Sequence, residues 1–392
     1  MDIFQSALEL HQKLRGKLSV ENRFDVCTKE DLSLVYSPGV AAPCEAIHAD
    51  PAKVYDYTIK GNTVAIVSDG SAVLGLGNIG AHAAIPVMEG KAMLFKRFAG
   101  INGFPICIQT QDTEEIISIV KNISPVFGGI NLEDISSPRC FEVEKRLQDI
   151  GIPVFHDDQH GTAIVVLAAI MNYCRLTSRK MEDLSIVING AGAAGIAISR
   201  YLGRKDPHTP NQKIAKEIIV CDSTGVLAPS RSDLNEFKIE LLSYTNPRAI
   251  EGTVHDAIKG ADVFIGVSKA GLLYREDIQT MAKDPLILAL ANPVPEILPE
   301  EAYAGGALVV GTGRSDFPNQ VNNVLAFPGI FLGAMRARAP RINLAMKFAA
   351  AEAIASGIQN VTRDQLIPPV MDESIAHRVA DAVSNIWINR AH

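Results

Sequence analysis

The chain has no excess of basic side chains: 37 Lys and Arg stand against 44 Asp and Glu over 392 residues, a formal net charge of −7. The electrostatic footprint of a nucleic-acid binder is missing, so nucleic acid is not an expected partner. Long apolar runs are missing too. The longest, Ala163–Met171, falls far short of the roughly 20 residues that a membrane span requires. Cysteine pairs are absent: the six, at 27, 44, 107, 140, 174 and 221, include no CxxC. A chain this long needs no disulfide staples, so they read as reduced thiols of a cytoplasmic protein. Met1-Asp2-Ile3-Phe4 offers neither a basic n-region nor an apolar h-region, and a secretory leader is not expected. No internal repeat and no low-complexity segment is visible.

What the chain does have is apolar content of 47% and 30 glycines. At roughly 100–200 residues per domain the length suggests two to three domains. Residues 1–60 read as helices and loops with a turn at Ser37-Pro38-Gly39. Thereafter β-branched runs alternate with helical patterns. Expected strands are Val64–Ser68, Pro105–Gln109, Val126–Asn131, Pro153–His156, Leu184–Asn189, Glu217–Cys221, Val263–Val267, Leu286–Leu290 and Ala307–Val310. Several are continuously apolar, as suits strands covered on both faces of a parallel sheet. Helical patterns fall at Glu114–Lys121, Cys140–Ile150 and Ala194–Leu202, then at Ile342–Ile358 and Ile375–Ile388 in an alanine-rich tail. The polar, proline-bearing stretch Gly203–Lys213 reads as an inserted loop. The class is α/β with open parallel sheets. We expect one domain over residues 1–160 and a doubly wound, Rossmann-type dinucleotide-binding domain over 161–392, with C-terminal helices from about residue 340.

GxGxxG occurs twice, at Gly75–Gly80 and Gly190–Gly195, and context separates the two. At the second, a strand runs into Gly190-Ala-Gly192-Ala193-Ala194-Gly195 and a helix follows at once. The next strand ends at Asp222, where an acid bonds an adenosine ribose hydroxyl. Glycine there admits backbone to a pyrophosphate, and the helix start offers free N–H groups and a positive dipole end. At the first, no acid appears between Lys91 and Ile108, so that turn brings backbone close to another ligand or serves packing. Asp222 repels a 2′-phosphate and Ser223-Thr224-Gly225 offers no cation, which favours NAD; Arg231 nearby leaves NADP open.

Acids gather where expected strands end: Asp69, then Glu133 with Asp134, then Asp157 with Asp158. Adjacent carboxylates repel unless a cation neutralises them, and an all-oxygen set suits Mg²⁺ or Mn²⁺. The alternative is that each acid caps a helix or faces water. His156 and His160 have the spacing of a zinc hydrolase, but Asp157 stands where that motif needs glutamate. Lys91 sits among apolar neighbours; burial would lower its pKa toward that of a general base, whereas a snorkelling lysine would stay charged. Tyr36 reads as an acid or a core tyrosine. Asn292, Asn322 and Asn323 read as turn residues or as contacts to a carboxylate or an amide.

Taken together, the motifs resemble the malic enzyme family in its short bacterial-type form. They are VYSPGVAAPC at Val35–Cys44, SDGSAVLGLGNIG at Ser68–Gly80, PVMEGKAMLFKRFAG at Pro86–Gly100, INLEDI at Ile130–Ile135, FHDDQHGTA at Phe155–Ala163, GAGAAG at Gly190–Gly195, ANPVPE at Ala291–Glu296 and NQVNNVLAFPG at Asn319–Gly329. The resemblance implies Tyr36 as general acid, linked to Lys91 as general base. It implies Glu133, Asp134 and Asp158 as metal ligands and Asp157 as the residue that orients Lys91. Asn292 and one of Asn322 or Asn323 would contact substrate and nicotinamide. The implied reaction is oxidation and decarboxylation of L-malate to pyruvate with NAD or NADP and Mg²⁺ or Mn²⁺, in a homodimer or higher oligomer. Longer relatives carry an arginine for the malate carboxylate before the GLG turn, where this chain reads Ser71-Ala72-Val73-Leu74. An oxaloacetate decarboxylase and a non-catalytic dinucleotide sensor are the alternatives. Malolactic chemistry is expected of longer relatives.

Overall fold

The computed structural model describes residues 3–73, 75–203 and 214–389. The expected loop at 203–213 therefore falls almost wholly outside the described residues. Two parallel sheets organise the rest. The first contains β1 (Thr63–Ser68), β2 (Asn102–Cys107), β3 (Gly129–Leu132) and β4 (Val154–His156) in the order β2-β1-β3-β4. The second contains β5 (Ser185–Asn189), β6 (Glu217–Asp222), β7 (Gly225–Val226), β8 (Val263–Gly266), β9 (Leu286–Ala289) and β10 (Val309–Thr312), ordered β10-β9-β8-β5-β6-β7. All nine expected strands are present with ends shifted by a few residues. The short β7, antiparallel to β6, was not foreseen, since two residues carry no periodicity. Val126 lies in a 3-10 turn, Ser124–Val126, because Pro125 denies the strand an N–H donor.

Register sets the chemistry. Val67 pairs with Leu132, and Leu132 with His156. The residues just beyond these three strand ends are therefore neighbours: Asp69, Glu133 with Asp134, and Asp157 with Asp158. In the second sheet Asn189 pairs with Cys221 and with Gly266, so the Gly190 turn emerges where the strand order reverses. Such crevices at strand carboxyl ends receive ligands in open α/β sheets.

The run Ala163–Met171 lies within the helix Asp157–Thr177, whose residues Ala163–Ile170 are buried. Among the described residues no helix is long and apolar enough to cross a membrane. One apolar core extends from the first sheet into the second. The helix Phe327–Arg336 returns to the first sheet, with the Phe327 ring edge-on to Phe95 at 4.8 Å and Phe331 edge-on to Phe95 at 5.4 Å and Phe155 at 5.9 Å. Packing thus crosses the division expected near residue 160. At the other end, the helices Ile3–Leu14, Lys29–Val35 and Ala41–Ala49 bury none of their residues.

Candidate active site

Lys91 lies on the helix Gly80–Ala99 and is 7% exposed. Its Nζ stands 2.5 Å from Asp157 Oδ2 and 2.9 Å from Glu133 Oε1, and 4.1 Å above the centre of the Phe327 ring. Asn323 donates from Nδ2 to the same Asp157 Oδ2. Asp157 opens its helix, and Gly161 one turn on leaves room for it: a Cβ there would strike Asp157 Oδ1. Burial alone would lower the Lys91 pKa, as expected from its apolar neighbours. The charges and hydrogen bonds of Asp157 and Glu133 outweigh burial and hold it above its usual range. Lys91 is therefore an ion-paired ammonium, which corrects the expectation of a base poised by burial.

Glu133, Asp134 and Asp158 each offer an oxygen within 4.8 Å of the others. Asp158 Oδ2 accepts from the Asp134 N–H at 2.8 Å, and Glu133 Oε2 accepts from Asn131 Nδ2 at 2.9 Å. Asp134 Oδ2 is buried without a hydrogen-bond partner. Burial, with the charge of neighbouring carboxylates, raises all three pKa values, that of Asp134 to about 9. An orphaned buried carboxylate oxygen beside two more acids fits a hard divalent cation. The two histidines are used otherwise. His156 caps the helix through Nδ1, accepting from the Gln159 N–H, and His160 Nε2 lies 2.8 Å from Glu144 Oε1.

Tyr36 is 67% exposed, on an N-terminal segment that also exposes Phe4, Leu8, Leu14, Phe24 and Leu34. Among the described residues the hydrogen bonds and ion pairs of Lys91 go to Asp157 and Glu133. Asn322 caps the 3-10 turn Asn323–Leu325 by accepting from the Val324 N–H, so of the two asparagines it is Asn323 that reaches the lysine network. Asn292 follows β9 and donates to the Leu290 carbonyl at 3.3 Å. Its own carbonyl lies 3.3 Å from where a Cβ on Gly75 would sit. The Gly75–Gly80 turn, with positive φ at all three glycines, thus faces the second sheet's loops across the cleft.

At the Gly190 turn, a Cβ on Gly195 would collide with the Gly190 carbonyl, whereas the space in front of Gly192 is open. Ala193 and Ala194 begin the helix Ala193–Gly203. Glu296, fully buried, accepts from the Ser268 and Ala291 N–H groups at 3.0 Å each and ties the β8 and β9 loops together beside this turn. Asp222 departs from expectation. Arg231 grips it at 2.8 and 3.1 Å and Lys238 at 2.6 Å. Burial would raise its pKa, but these hydrogen bonds bring it down to about 2. Two cations stand where residues 223–225 offered none. Asp222 stays ionised between them, and Arg231 is shared with Asp233 at 2.6 Å. Lys238, 16 positions downstream, carries no local signal; the helix Glu236–Leu241 delivers it.

The fold and site define a two-sheet α/β protein with a glycine-rich strand–helix turn on one sheet and a carboxylate trio with a buried lysine on the other. Family models described as malic enzyme, N-terminal domain and malic enzyme, NAD binding domain match residues 16–115 with 109–148 and residues 159–388. The chain belongs to the malic enzyme family. It is 53% identical to the bifunctional malic/malolactic enzyme of Bacillus subtilis (strain 168) over 98% of this chain and 93% of the relative. With the NAD-dependent malic enzyme of Geobacillus stearothermophilus it shares 54% identity over 94% of this chain and 76% of that one. The solved structure of an NAD-dependent malic enzyme from Thermotoga maritima superposes with a TM-score of 0.91 at 48% identity, covering 96% of this chain and 98% of that chain. The Bacillus relative is nearly matched in length, so malolactic naming is not confined to longer relatives as expected above.

Proposed function

We propose that this chain oxidises and decarboxylates L-malate to pyruvate and CO₂, with NAD or NADP accepting hydride and Mg²⁺ or Mn²⁺ held by Glu133, Asp134 and Asp158. The observation that carries the proposal is Lys91, gripped by Asp157 and Glu133 beside the acidic trio. When bound, the dinucleotide supplies the hydride acceptor and the cation the electron sink that a β-keto acid needs. The chain's own residues handle protons. Lys91 acts as base in its neutral form: once Glu133, shared with the trio, is engaged elsewhere, burial lowers the lysine's pKa and the ammonium gives up one proton to solvent. Lys91 then takes the C2 hydroxyl proton as hydride leaves C2. The C3–C4 bond breaks, C4 departs as CO₂, and the electron pair passes toward the C2 oxygen. A proton returned to C3 completes pyruvate. Asp157, held by Asn323, keeps the lysine aimed throughout. Asn292 and Asn323 line the route between substrate and nicotinamide.

Tyr36 fits the last proton donor if a second copy supplies it. The N-terminal segment exposes many large apolar side chains, among them Phe4, Leu8, Leu14, Phe24 and Leu34, and clustered exposed apolar surface marks protein–protein contacts. We assign it to a homodimer, working in the cytoplasm, in which the partner's Tyr36 faces Lys91.

The test is an assay of malate with Mn²⁺, against NAD and NADP separately, measuring reduced dinucleotide, pyruvate and lactate. Reduced dinucleotide in step with pyruvate is expected. Lactate as main product would replace this reading with the malolactic one that the Bacillus relative's name brings forward. Decarboxylation of oxaloacetate without malate oxidation would replace it with a decarboxylase. Mixing inactive Tyr36→Phe with inactive Lys91→Met should restore activity through mixed dimers; a mixture that stays inactive, with exchange of subunits demonstrated, rejects the shared site.

A further inference from the structure

Behind the dinucleotide turn lies a cavity of about 190 Å³ that the chemistry above does not use. Three helices line it, and one side opens to solvent. Asp157–Thr177 contributes Gln159 and His160, Ala193–Gly203 contributes Arg200 and Tyr201, and Leu344–Ala355 contributes Lys347. Ala197 and Leu344 form its apolar wall. At roughly 30 Å³ per water molecule, it has room for about six non-hydrogen atoms.

The polar groups on its wall are unevenly satisfied. The His160 Nε2–H donates to Glu144, and its Nδ1 lies 3.2 Å from the Tyr201 hydroxyl, which can donate to it. Those groups serve one another. Gln159 is 2% exposed, and its amide nitrogen Nε2 is buried with no partner. Arg200 places one terminal nitrogen 2.6 Å from Glu240, and its guanidinium lies over the Phe141 and Phe237 rings at 5.5 and 5.9 Å. Its Nε is buried and has no partner. The Lys347 ammonium, 5.7 Å from the Phe155 ring, adds positive charge to the same wall. Two buried donors on this wall, Gln159 Nε2 and Arg200 Nε, thus lack an acceptor. Buried donors without partners cost on the order of 1–3 kcal/mol each, and a polar cavity of this size is where a ligand recovers that cost.

We propose that the cavity binds a small oxyanion, an inorganic phosphate or a short-chain carboxylate, through Gln159, Arg200 and Lys347. Its occupancy bears on the active site. Gln159 follows Asp157 and Asp158 in the same helical turn, and its backbone N–H is held by His156 Nδ1 at 3.3 Å. Glu144 spans the two regions, joining the His160 ring to the His156 backbone N–H at 3.3 Å. An anion drawing on Gln159 pulls on the turn that presents Asp158 to the metal. Nucleotides and tricarboxylates exceed the volume.

The test uses the full-length dimer saturated with NAD, so that the Gly190 turn is already filled, at constant ionic strength. Thermal unfolding and titration calorimetry are followed with phosphate, with acetate, and with citrate as an oversize control. A saturable rise in Tm with phosphate or acetate, and none with citrate, is expected. Which anion acts identifies the source. Lys347→Met and Arg200→Met should each weaken that binding about tenfold, the effect of one charge-assisted hydrogen bond, while malate turnover without added anion changes less than about threefold. Absence of any saturable response, or an unchanged response in both variants, overturns the site. The binding readouts do not depend on the proposed reaction. A separate readout, the KM for Mg²⁺ in malate oxidation with and without acetate, tests the link to the metal. An unchanged KM at saturating anion rejects the link while leaving binding standing.

Discussion

Replacing Asp222 by alanine should move the dinucleotide preference toward NADP. The carboxylate lies at the end of β6, with Arg231 at 2.8 and 3.1 Å and Lys238 at 2.6 Å. A 2′-phosphate, carrying a charge of about −1.5 to −2 near pH 7, would meet Asp222 and two cations there, of which Arg231 is also held by Asp233 at 2.6 Å. Removing Asp222 abolishes one repulsion and frees Lys238, while Arg231 keeps its pair with Asp233. Two unit charges about 4 Å apart interact by about 4 kcal/mol at an effective dielectric of about 20. The side chains are 8% exposed for Asp222, 13% for Arg231 and 21% for Lys238, so salt and solvent reach one side. A quarter to a half of that energy, about 1–2 kcal/mol, should survive. This corresponds to a rise of about 5–30-fold in kcat/KM for NADP. The value for NAD should fall, since the ribose hydroxyls lose their acceptor. Lys238→Ala should do the opposite, lowering kcat/KM for NADP while NAD changes less than about twofold. Initial rates at varied dinucleotide, with saturating malate and Mn²⁺, at two ionic strengths, measure this. An NADP-to-NAD ratio unmoved by both substitutions, or lowered by Asp222→Ala, refutes the electrostatic reasoning.

Lys91→Ala should abolish malate oxidation while NADH still binds, as fluorescence titration would report; turnover near normal removes Lys91 from its assigned role. Asp158→Ala should remove activity or its dependence on Mn²⁺, checked by titrating metal into the stripped protein. Asn323→Ala deprives Asp157 of its second donor and should lower kcat by about 10–100-fold, the usual range for residues that orient a metal site's partners, with KM for the dinucleotide little changed. Metal-stripped protein should lose stability as pH rises from about 4 to 9. Over that window the raised pKa values of Glu133, Asp134 and Asp158 leave more protons bound to the folded than to the unfolded chain, so the slope of stability against pH is negative. Mn²⁺ should flatten the decline; thermal unfolding in EDTA and in Mn²⁺ across that range decides.

The strands were legible because each buries an apolar run, and their carboxyl ends were legible because acids gather there. Pairing register then brought Glu133, Asp134 and Asp158 together, as the family resemblance implied. Tyr36 was legible by motif but not by position, since its motif says nothing of the 67% exposure that it has in the fold. Lys91 was legible as buried, yet the sign of its shift was not. Composition reveals apolar neighbours but not that Glu133 and Asp157, 42 and 66 positions away, converge on one ammonium. The same blindness to distant partners hid Arg231 and Lys238 around Asp222, and Asn323 on Asp157. The helix Phe327–Arg336 went unread because an apolar run with a proline near its start, FPGIFLGAMR, resembles a buried strand as closely as a helix.

Asp157 Oδ2 receives Lys91 from the first quarter of the chain and Asn323 from the last, and Phe327 slides beneath the same lysine. This has a consequence for biosynthesis. A ribosome that has translated the whole first sheet has still not made the asparagine or the aromatic ring that complete the lysine's surroundings. A nascent or truncated chain can display the acidic strand ends, yet it cannot hold its proton-handling group in place. The lysine's surroundings are complete only with the final fifth of the message, so a fragment that ends earlier lacks two of its contacts.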